Sequence, residues 1–369
     1  MPDGFNYKVT VYKKALVLLH VESIYHYDCI VENLFFVTNS LTGGGAERSS
    51  NLIANELFSR GYRVAVVPIN SGPDDLVTLD CPIFPIERTW RTGIFSTALG
   101  VYRFRKAVSK FKPDFVILNC DLPELFGLFI KKGPRVVIVE HSNNPWMNRK
   151  RTGRIVRMVH KYKKVDWISV RDDLKIWPKL FTPEKSIQNP IVRPKPLAPN
   201  SKEDEKQINR IVFLGRLSVE KGARNFLEIA SETGCASLVI GDGPLRKELE
   251  RDFPDLKGIL VGQKRSPWDE LFSNDLLLVP SLHEGDGLVV VEALAAGIPI
   301  LLADIPEFRR FGLPDIHYCK DKYDYMASIN SYSNHIDKLR VSAVNAASVL
   351  DSRSLQAIGD SWVDFFNKS

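Results

Sequence analysis

Long apolar runs are missing from this chain. No stretch approaches the roughly 18–20 apolar residues that would span a bilayer. The most apolar N-terminal segment, Ala15-Leu16-Val17-Leu18-Leu19, is shorter than the roughly 7–15-residue core of a signal peptide, and no small-residue cleavage site follows it. The expectation is a water-soluble protein of the cytoplasm, at most resting on the inner face of the membrane. Cysteine is scarce too: Cys29, Cys81, Cys120, Cys235 and Cys319 are scattered, odd in number, and form no Cys-x-x-Cys pair. Neither a zinc site nor a disulfide framework is suggested. Asp-x-Asp, the usual carboxylate pair for a catalytic divalent metal, does not occur, nor does any short-period repeat or low-complexity tract.

The 369 residues, 44% hydrophobic and 25% charged, have the composition of a globular protein and enough length for two domains. From residue 33 onward short apolar runs alternate with longer segments of helical period, the signature of βαβ units and a parallel sheet. The runs predict strands over Asn33–Thr38, Arg63–Pro68, Phe115–Asn119, Arg135–Val139 and Trp167–Val170, with helices over Ala46–Ser59, Thr97–Lys110 and Arg154–Lys163. A stretch rich in proline and polar residues then interrupts, from Asn189 to Lys206. After it the alternation restarts with strands Ile211–Leu214, Ser237–Ile240, Gly258–Val261, Leu276–Pro280 and Pro299–Leu302. Helices Ala223–Ser231, Pro244–Arg251 and Leu288–Ala296 lie between them. The fold class is therefore α/β: two doubly wound, Rossmann-like domains over 33–188 and 209–350, a linker over 189–208, and a cleft between the lobes as the default binding site. Residues 1–32 have no place in this scheme. They are either an appendage or the product of a start assigned upstream of Val31, and on both readings removing residues 2–30 is expected to leave the fold and activity intact.

Charge is distributed unevenly. Residues 101–180 hold 19 Lys/Arg against 7 Asp/Glu, while 191–369 carry a small acidic excess. Such an excess suits an anionic partner, and no aromatic or recognition-helix motif accompanies it that would favour nucleic acid. In the stretch Arg149–Lys164, basic residues stand among Trp146, Ile155, Val156, Met158 and Val159 in a basic amphipathic pattern. An anionic membrane surface is one expected partner; an ordinary solvated helix face is the alternative.

Three segments carry chemistry. Gly43-Gly44-Gly45-Ala46-Glu47-Arg48 follows the first strand and opens a helix, where glycines admit close approach and free N–H groups attract anions. Gly215-Arg216-Leu217-Ser218-Val219-Glu220-Lys221-Gly222 sits between a strand and a helix, so Arg216 and Lys221 are placed to converge on one diphosphate, the first as a fork and the second as a point charge. The strongest is His283-Glu284-Gly285-Asp286-Gly287-Leu288-Val289-Val290-Val291-Glu292. Here Glu284 lies on the loop leaving a strand, Glu292 about one turn inside the next helix, and the N–H groups of Gly287, Leu288 and Val289 are placed to receive a phosphate. A carboxylate in so apolar a helix needs a polar partner.

In this combination the chain resembles family 4 of the retaining glycosyltransferases, with the two-Rossmann GT-B fold, over about residues 33–369. It matches the family's glycine loop, its Gly-Arg…Glu-Lys-Gly segment, the Ile240-Gly241-Asp242-Gly243-Pro244 turn and the Glu-x7-Glu stretch. Glu140-His141-Ser142-Asn143 is similar to the loop whose histidine approaches the transferred sugar. Trp362-Val363-Asp364-Phe365-Phe366 is similar to the last helix, so that 351–369 would return to the first domain. The resemblance implies that Arg216 and Lys221 neutralise the diphosphate leaving group and that Glu284 binds the donor sugar hydroxyls. Glu292 would hold the ribose, Leu288 and Val289 would bind phosphate through their N–H groups, and His141 would touch the sugar. Gly44 and Gly45 would admit the donor or acceptor, and Gly215, Gly241, Asp242 and Gly287 would complete the donor site. Asp286 departs from the family, which often has an aromatic residue there. The implied reaction moves a hexose or N-acetylhexosamine from a UDP- or GDP-sugar to a sugar or lipid-linked acceptor of cell-surface polysaccharide assembly. No cofactor or metal is expected, because two fixed cations and a helix start stabilise the departing diphosphate. A nucleotide-sugar 2-epimerase-like isomerase and a non-catalytic GT-B-fold binding protein are the alternatives. The first lacks this combination of motifs, and the intact charged residues argue against the second.

Overall fold

The computed structural model describes residues 32–41, 44–70, 78–88, 94–142, 145–147, 149–174, 177, 183, 185–195, 197–200, 206–340 and 352–368. Expectations on residues 1–31, Gly43, Asn143 and parts of the linker lie outside these.

The first domain is a six-stranded parallel sheet of β1 (Asn33–Thr38), β2 (Arg63–Pro68), β3 (Phe115–Asn119), β4 (Arg135–Glu140), β5 (Asp166–Ser169) and β6 (Lys185–Ser186), in the order β2-β1-β3-β4-β5-β6. Helices α1 (Gly45–Ser59), α2 (Ile94–Phe111), α3 (Asp121–Gly127) and α4 (Lys150–Tyr162) join them. Strand β1 shows why its sequence reads as an unbroken apolar run: Leu34 and Phe36 enter one core, Phe35 and Val37 the other. A parallel strand covered by helices on both faces needs apolar side chains on both.

The second domain repeats the plan with β7 (Ile211–Leu214), β8 (Ser237–Ile240), β9 (Leu260–Gly262), β10 (Leu276–Val279), β11 (Ile300–Ala303) and β12 (Tyr318–Cys319), ordered β12-β11-β10-β7-β8-β9 and again parallel. Its helices are α5 (Ala223–Thr233), α6 (Arg246–Asp252), α7 (Leu288–Ala296), α8 (Pro306–Arg309) and α9 (Lys322–Tyr332). The last helix, α10 (Leu355–Asn367), belongs to the first domain's core. Trp362, Phe365 and Phe366 are buried there with Phe36 and Phe115, and Arg60 of the segment after α1 pairs with Asp360 at 2.6 Å.

Several bounds differ from those the sequence predicts, each for a local reason. Strand β9 starts at Leu260, not Gly258, because Pro254–Ile259 winds into a 3-10 turn. Helix α4 starts at Lys150, one turn before Arg154. Helix α3 has no counterpart among the predicted elements, since two turns containing Pro123 offer too short a window for a helical period.

Candidate active site

Both sheets present the carboxyl ends of their strands to the same cleft, the usual ligand side of open α/β sheets. Strand β1 leads to Gly44, the N-cap of α1, and strand β10 leads to Gly287, the N-cap of α7. Neither helix start is capped by a side chain, so each keeps backbone N–H donors and the positive end of its dipole for something else. The two starts meet. A Cβ on Gly45 would lie 2.9 Å from Leu288 Cδ1, so a larger residue there would require the Leu288 side chain to move. Gly287 adopts φ 64°, a left-handed conformation that suits glycine.

The acidic and basic residues of the second domain are paired across its loops. Lys221 Nζ lies 2.5 Å from both carboxylate oxygens of Glu284, and the Glu284 side chain is only 7% exposed. This approach follows from the backbone. Gly222 is left-handed, and a Cβ on it would overlap the carbonyl oxygen of Pro280, so only glycine brings this turn against the end of β10. The Leu282 N–H then donates to the Glu220 carbonyl at 2.9 Å, tying the loop before α5 to the loop before α7. Arg216, on the same loop as Lys221, is exposed and makes no ion pair among the described residues. Gly215 and Gly241 pack backbone to backbone, since a Cβ on Gly241 would overlap the Gly215 carbonyl oxygen. The Leu217 N–H donates to the Asp242 carbonyl at 3.0 Å. These contacts set Gly241 and Asp242 beside the Arg216 loop.

Glu292 finds its polar partners across the cleft and within its own domain. Arg48 of α1 reaches its Oε1 at 2.6 Å, and the Trp268 indole N–H donates to its Oε2 at 3.1 Å. Burial pushes the Glu292 carboxyl up, and Arg48 pulls it back. The sequence places Arg48 in the glycine loop but assigns it no contact, because nothing local marks a residue whose partner is so distant in the chain.

The first domain contributes His141 from the end of β4. Its Nε2 lies 3.0 Å from Asn119 Oδ1, and its Nδ1 is buried without a hydrogen-bond partner among the described residues. Burial lowers the imidazole to about 4, so it is neutral near pH 7. The loop facing it is close: a Cβ on Gly285 would lie 2.5 Å from the His141 carbonyl oxygen, and the Arg171 guanidinium donates to the Gly285 carbonyl. Beneath His141 lies a fully buried cation. Arg157 donates to Glu124 (3.0 and 2.5 Å), to Glu140 (2.6 Å) and to the Trp177 carbonyl. The Trp146 indole adds a bond to Glu124 at 2.9 Å.

The residues of 149–164 divide between two faces of α4. Arg157, Val156 and His160 face inward; Lys150 and Lys163 donate to backbone carbonyls; Ile155, Met158, Val159 and Tyr162 face solvent. Among the described residues no helix is long and apolar enough to cross a membrane, and no group of three or more His, Cys, Asp or Glu is placed to hold a metal.

Residues 43–171 match the family described as Glycosyltransferase Family 4, and residues 195–314 match Glycosyl transferases group 1. Among curated proteins, sulfoquinovosyl transferase of Arabidopsis thaliana is 26% identical over 58% of this chain and 46% of its own length. An uncharacterized glycosyltransferase of Methanocaldococcus jannaschii is 26% identical over 63% of this chain and 65% of its own. A GDP-mannose-dependent phosphatidylinositol dimannoside mannosyltransferase of Mycobacterium tuberculosis is 34% identical over 30% of this chain and 31% of its own. The matched segments thus span less than two thirds of these relatives. Solved structures agree in fold over more of the chain. HepE of Anabaena, crystallised with UDP and glucose, superposes with a TM-score of 0.73 at 15% identity, covering 92% of this chain and 100% of that one. Sucrose-phosphate synthase of Thermosynechococcus elongatus gives 0.72 at 15% identity, covering 91% and 98%. With one family match on each sheet, in chain order, the protein belongs to the family 4 glycosyltransferases of the GT-B fold.

Proposed function

We propose that this chain is a retaining, metal-independent glycosyltransferase. It would transfer a hexose or N-acetylhexosamine from a UDP- or GDP-sugar to a sugar or lipid-linked acceptor in cell-surface polysaccharide assembly. The observation that carries the reading is the arrangement around Glu284: its carboxylate is held by Lys221 beside the uncapped start of α7, with Gly45 of the opposing domain against that start. The donor's nucleoside diphosphate would lie along the second domain. Gly287, Leu288 and Val289 N–H groups would receive phosphate oxygens, Arg216 and Lys221 would balance their charge, and Gly215, Gly241 and Asp242 would line the donor's approach. Glu292 would exchange Arg48 for the ribose hydroxyls, and Glu284 would bind the sugar hydroxyls. Neutral His141 would meet the sugar from the first domain.

In the step itself, the bond between the anomeric carbon and the diphosphate oxygen breaks while a bond to the acceptor oxygen forms on the same face. The acceptor proton passes to the departing diphosphate. Charge accumulates on that diphosphate, where preorganised donors count most. UDP and GDP donors are both supported by similarity alone: HepE was crystallised with UDP, and the mycobacterial relative is named for GDP-mannose. A surface for the membrane is offered by α4, whose Ile155, Met158, Val159 and Tyr162 are exposed beside Arg151, Arg154, Lys161 and Lys164.

A direct test measures nucleoside diphosphate release from a panel of UDP- and GDP-sugars, with and without EDTA. Release from at least one donor, unaffected by chelation, is expected. Conversion of the donor to its 2-epimer without release would instead assign an isomerase. Loss with EDTA and recovery with Mg²⁺ would overturn the charge assignment.

A further inference from the structure

Asp286 lies between Glu284 and Gly287 on the loop that carries the donor site, and its side chain is buried, 6% exposed. Its Oδ1 accepts from Arg353 at 2.6 Å and from Arg310 at 3.2 Å, and its Oδ2 accepts from Asn189 at 2.8 Å. Arg310 also donates to the backbone carbonyl of Asp286 itself. These partners have different origins. Arg310 follows α8 in the second domain; Asn189 opens the connection between the domains; Arg353 stands just before α10, where the chain returns to the first domain.

The two crossings are also joined to each other and to α1. Arg353 Nε donates to Gln188 Oε1 at 3.1 Å, and the Ile191 N–H donates to the Arg353 carbonyl at 2.9 Å. Ser49 of α1 donates its hydroxyl to Asn189 Oδ1 at 2.7 Å. One carboxylate thus gathers both interdomain crossings, and through Asn189 it reaches the helix that bears Arg48. No aromatic side chain at this position accepts hydrogen bonds from two guanidinium groups. If the carboxylate is removed, Arg353 remains 5% exposed with Nη1 already lacking a partner among the described residues, which disfavours the buried arrangement of this crossing.

We propose that Asp286 is a positioning residue that holds the donor loop against the first domain by pinning both interdomain crossings to one carboxylate. This rests on the donor-site reading under the proposed function. Its consequence is closure: with the pin intact, Gly285 stays against His141 and Arg171, and α7 stays against Gly45. Without it the chemistry-bearing residues are all present, but the lobes meet less often, and the donor is bound by an arrangement that is only partly populated. The apparent dissociation constant rises by the inverse of that population.

The test compares Asp286→Asn, Arg353→Gln and the double variant, each purified as the full chain. Two readouts are used: donor KM against kcat, and the radius of gyration of the unliganded protein by small-angle scattering. Asp286→Asn and Arg353→Gln should each raise donor KM about tenfold, with kcat held within about threefold. The double variant should be no worse than either single one, because both remove the same link. The radius of gyration should increase in all three. Asn189→Ala, which leaves both ion pairs, should shift KM in the same direction by less, and it serves if Asp286→Asn does not fold. An unchanged KM and radius of gyration with only a lower melting temperature would reduce Asp286 to a stabilising ion pair and overturn the proposal. If the wild-type chain releases no nucleoside diphosphate from any donor, the functional reading fails instead, and the scattering still decides whether the pin closes the lobes.

Discussion

At Glu140 burial and pairing pull in opposite directions. Desolvation raises its carboxyl to about 7 from the usual 4.5, although Arg157 at 2.6 Å pulls it down. A carboxyl raised in the folded state contributes stability that is full below its unfolded value and lost as pH rises through the folded one. The wild-type chain should therefore lose stability relative to Glu140→Gln between about pH 4.5 and pH 7. His141 and His160, both lowered to about 4 by burial, act oppositely, losing stability as pH falls below the usual histidine range. Comparing urea midpoints of wild type and Glu140→Gln at both ends of the window cancels the histidines; a constant difference would mean that Glu140 does not titrate there. The same cluster marks where single residues stop being legible. Arg216, Lys221 and Glu284 stand out as charged residues on loops that follow strand ends, Glu292 as a carboxylate inside an apolar helix, and His141 through the resemblance of its loop to the family's. Periodicity assigns charges to solvent and so reads Arg157 as an outward charge; its two buried carboxylates reverse that rule. Arg48, Asn189, Arg310 and Arg353 carry no local signal, because their partners are separated from them by long stretches of chain.

Elements are legible in the sequence where they are long or fully apolar. Strands β1, β2, β3, β7 and β8 fall on the expected residues because each fills two cores at once. Two-residue β6 and β12, and α3 with its internal proline, are too short to show a period. Helix α9 also escapes, though Asp321 caps it through the Tyr323 and Asp324 N–H groups at 2.9 and 3.0 Å. The basic character of α4 is readable, but its facing is not. The structure exposes Ile155, Met158, Val159 and Tyr162 at i, i+3, i+4 and i+7, with Tyr162 90% exposed, so a continuous apolar stripe runs along the outer face. The chain should therefore sediment with anionic vesicles at low salt, and Ile155→Ser with Tyr162→Ser should weaken this about tenfold, given the apolar area removed. Equal sedimentation with neutral vesicles, or an unaffected double variant, would reject the membrane surface.

For the molecule as a whole, two similar sheets are brought together so that each glycine-started helix faces the other. The alternation of strands and helices makes the two-domain plan legible, and the proline-rich stretch makes the connection legible. The closed arrangement is not, because it depends on contacts such as Arg48 with Glu292 and Gly45 with Leu288, which join residues far apart in the chain. The proposed function depends on that closure: the second domain would hold a diphosphate with fixed cations while the first supplies a neutral histidine. The most direct test is turnover of the best nucleotide-sugar donor by Arg216→Ala and by Lys221→Ala, each checked for a retained cooperative melting transition. Each variant should lose roughly 10²–10³ in kcat, the scale for removing one preorganised charge-stabilising donor. Near-wild-type turnover by either folded variant would contradict the assignment of these two cations to the leaving group.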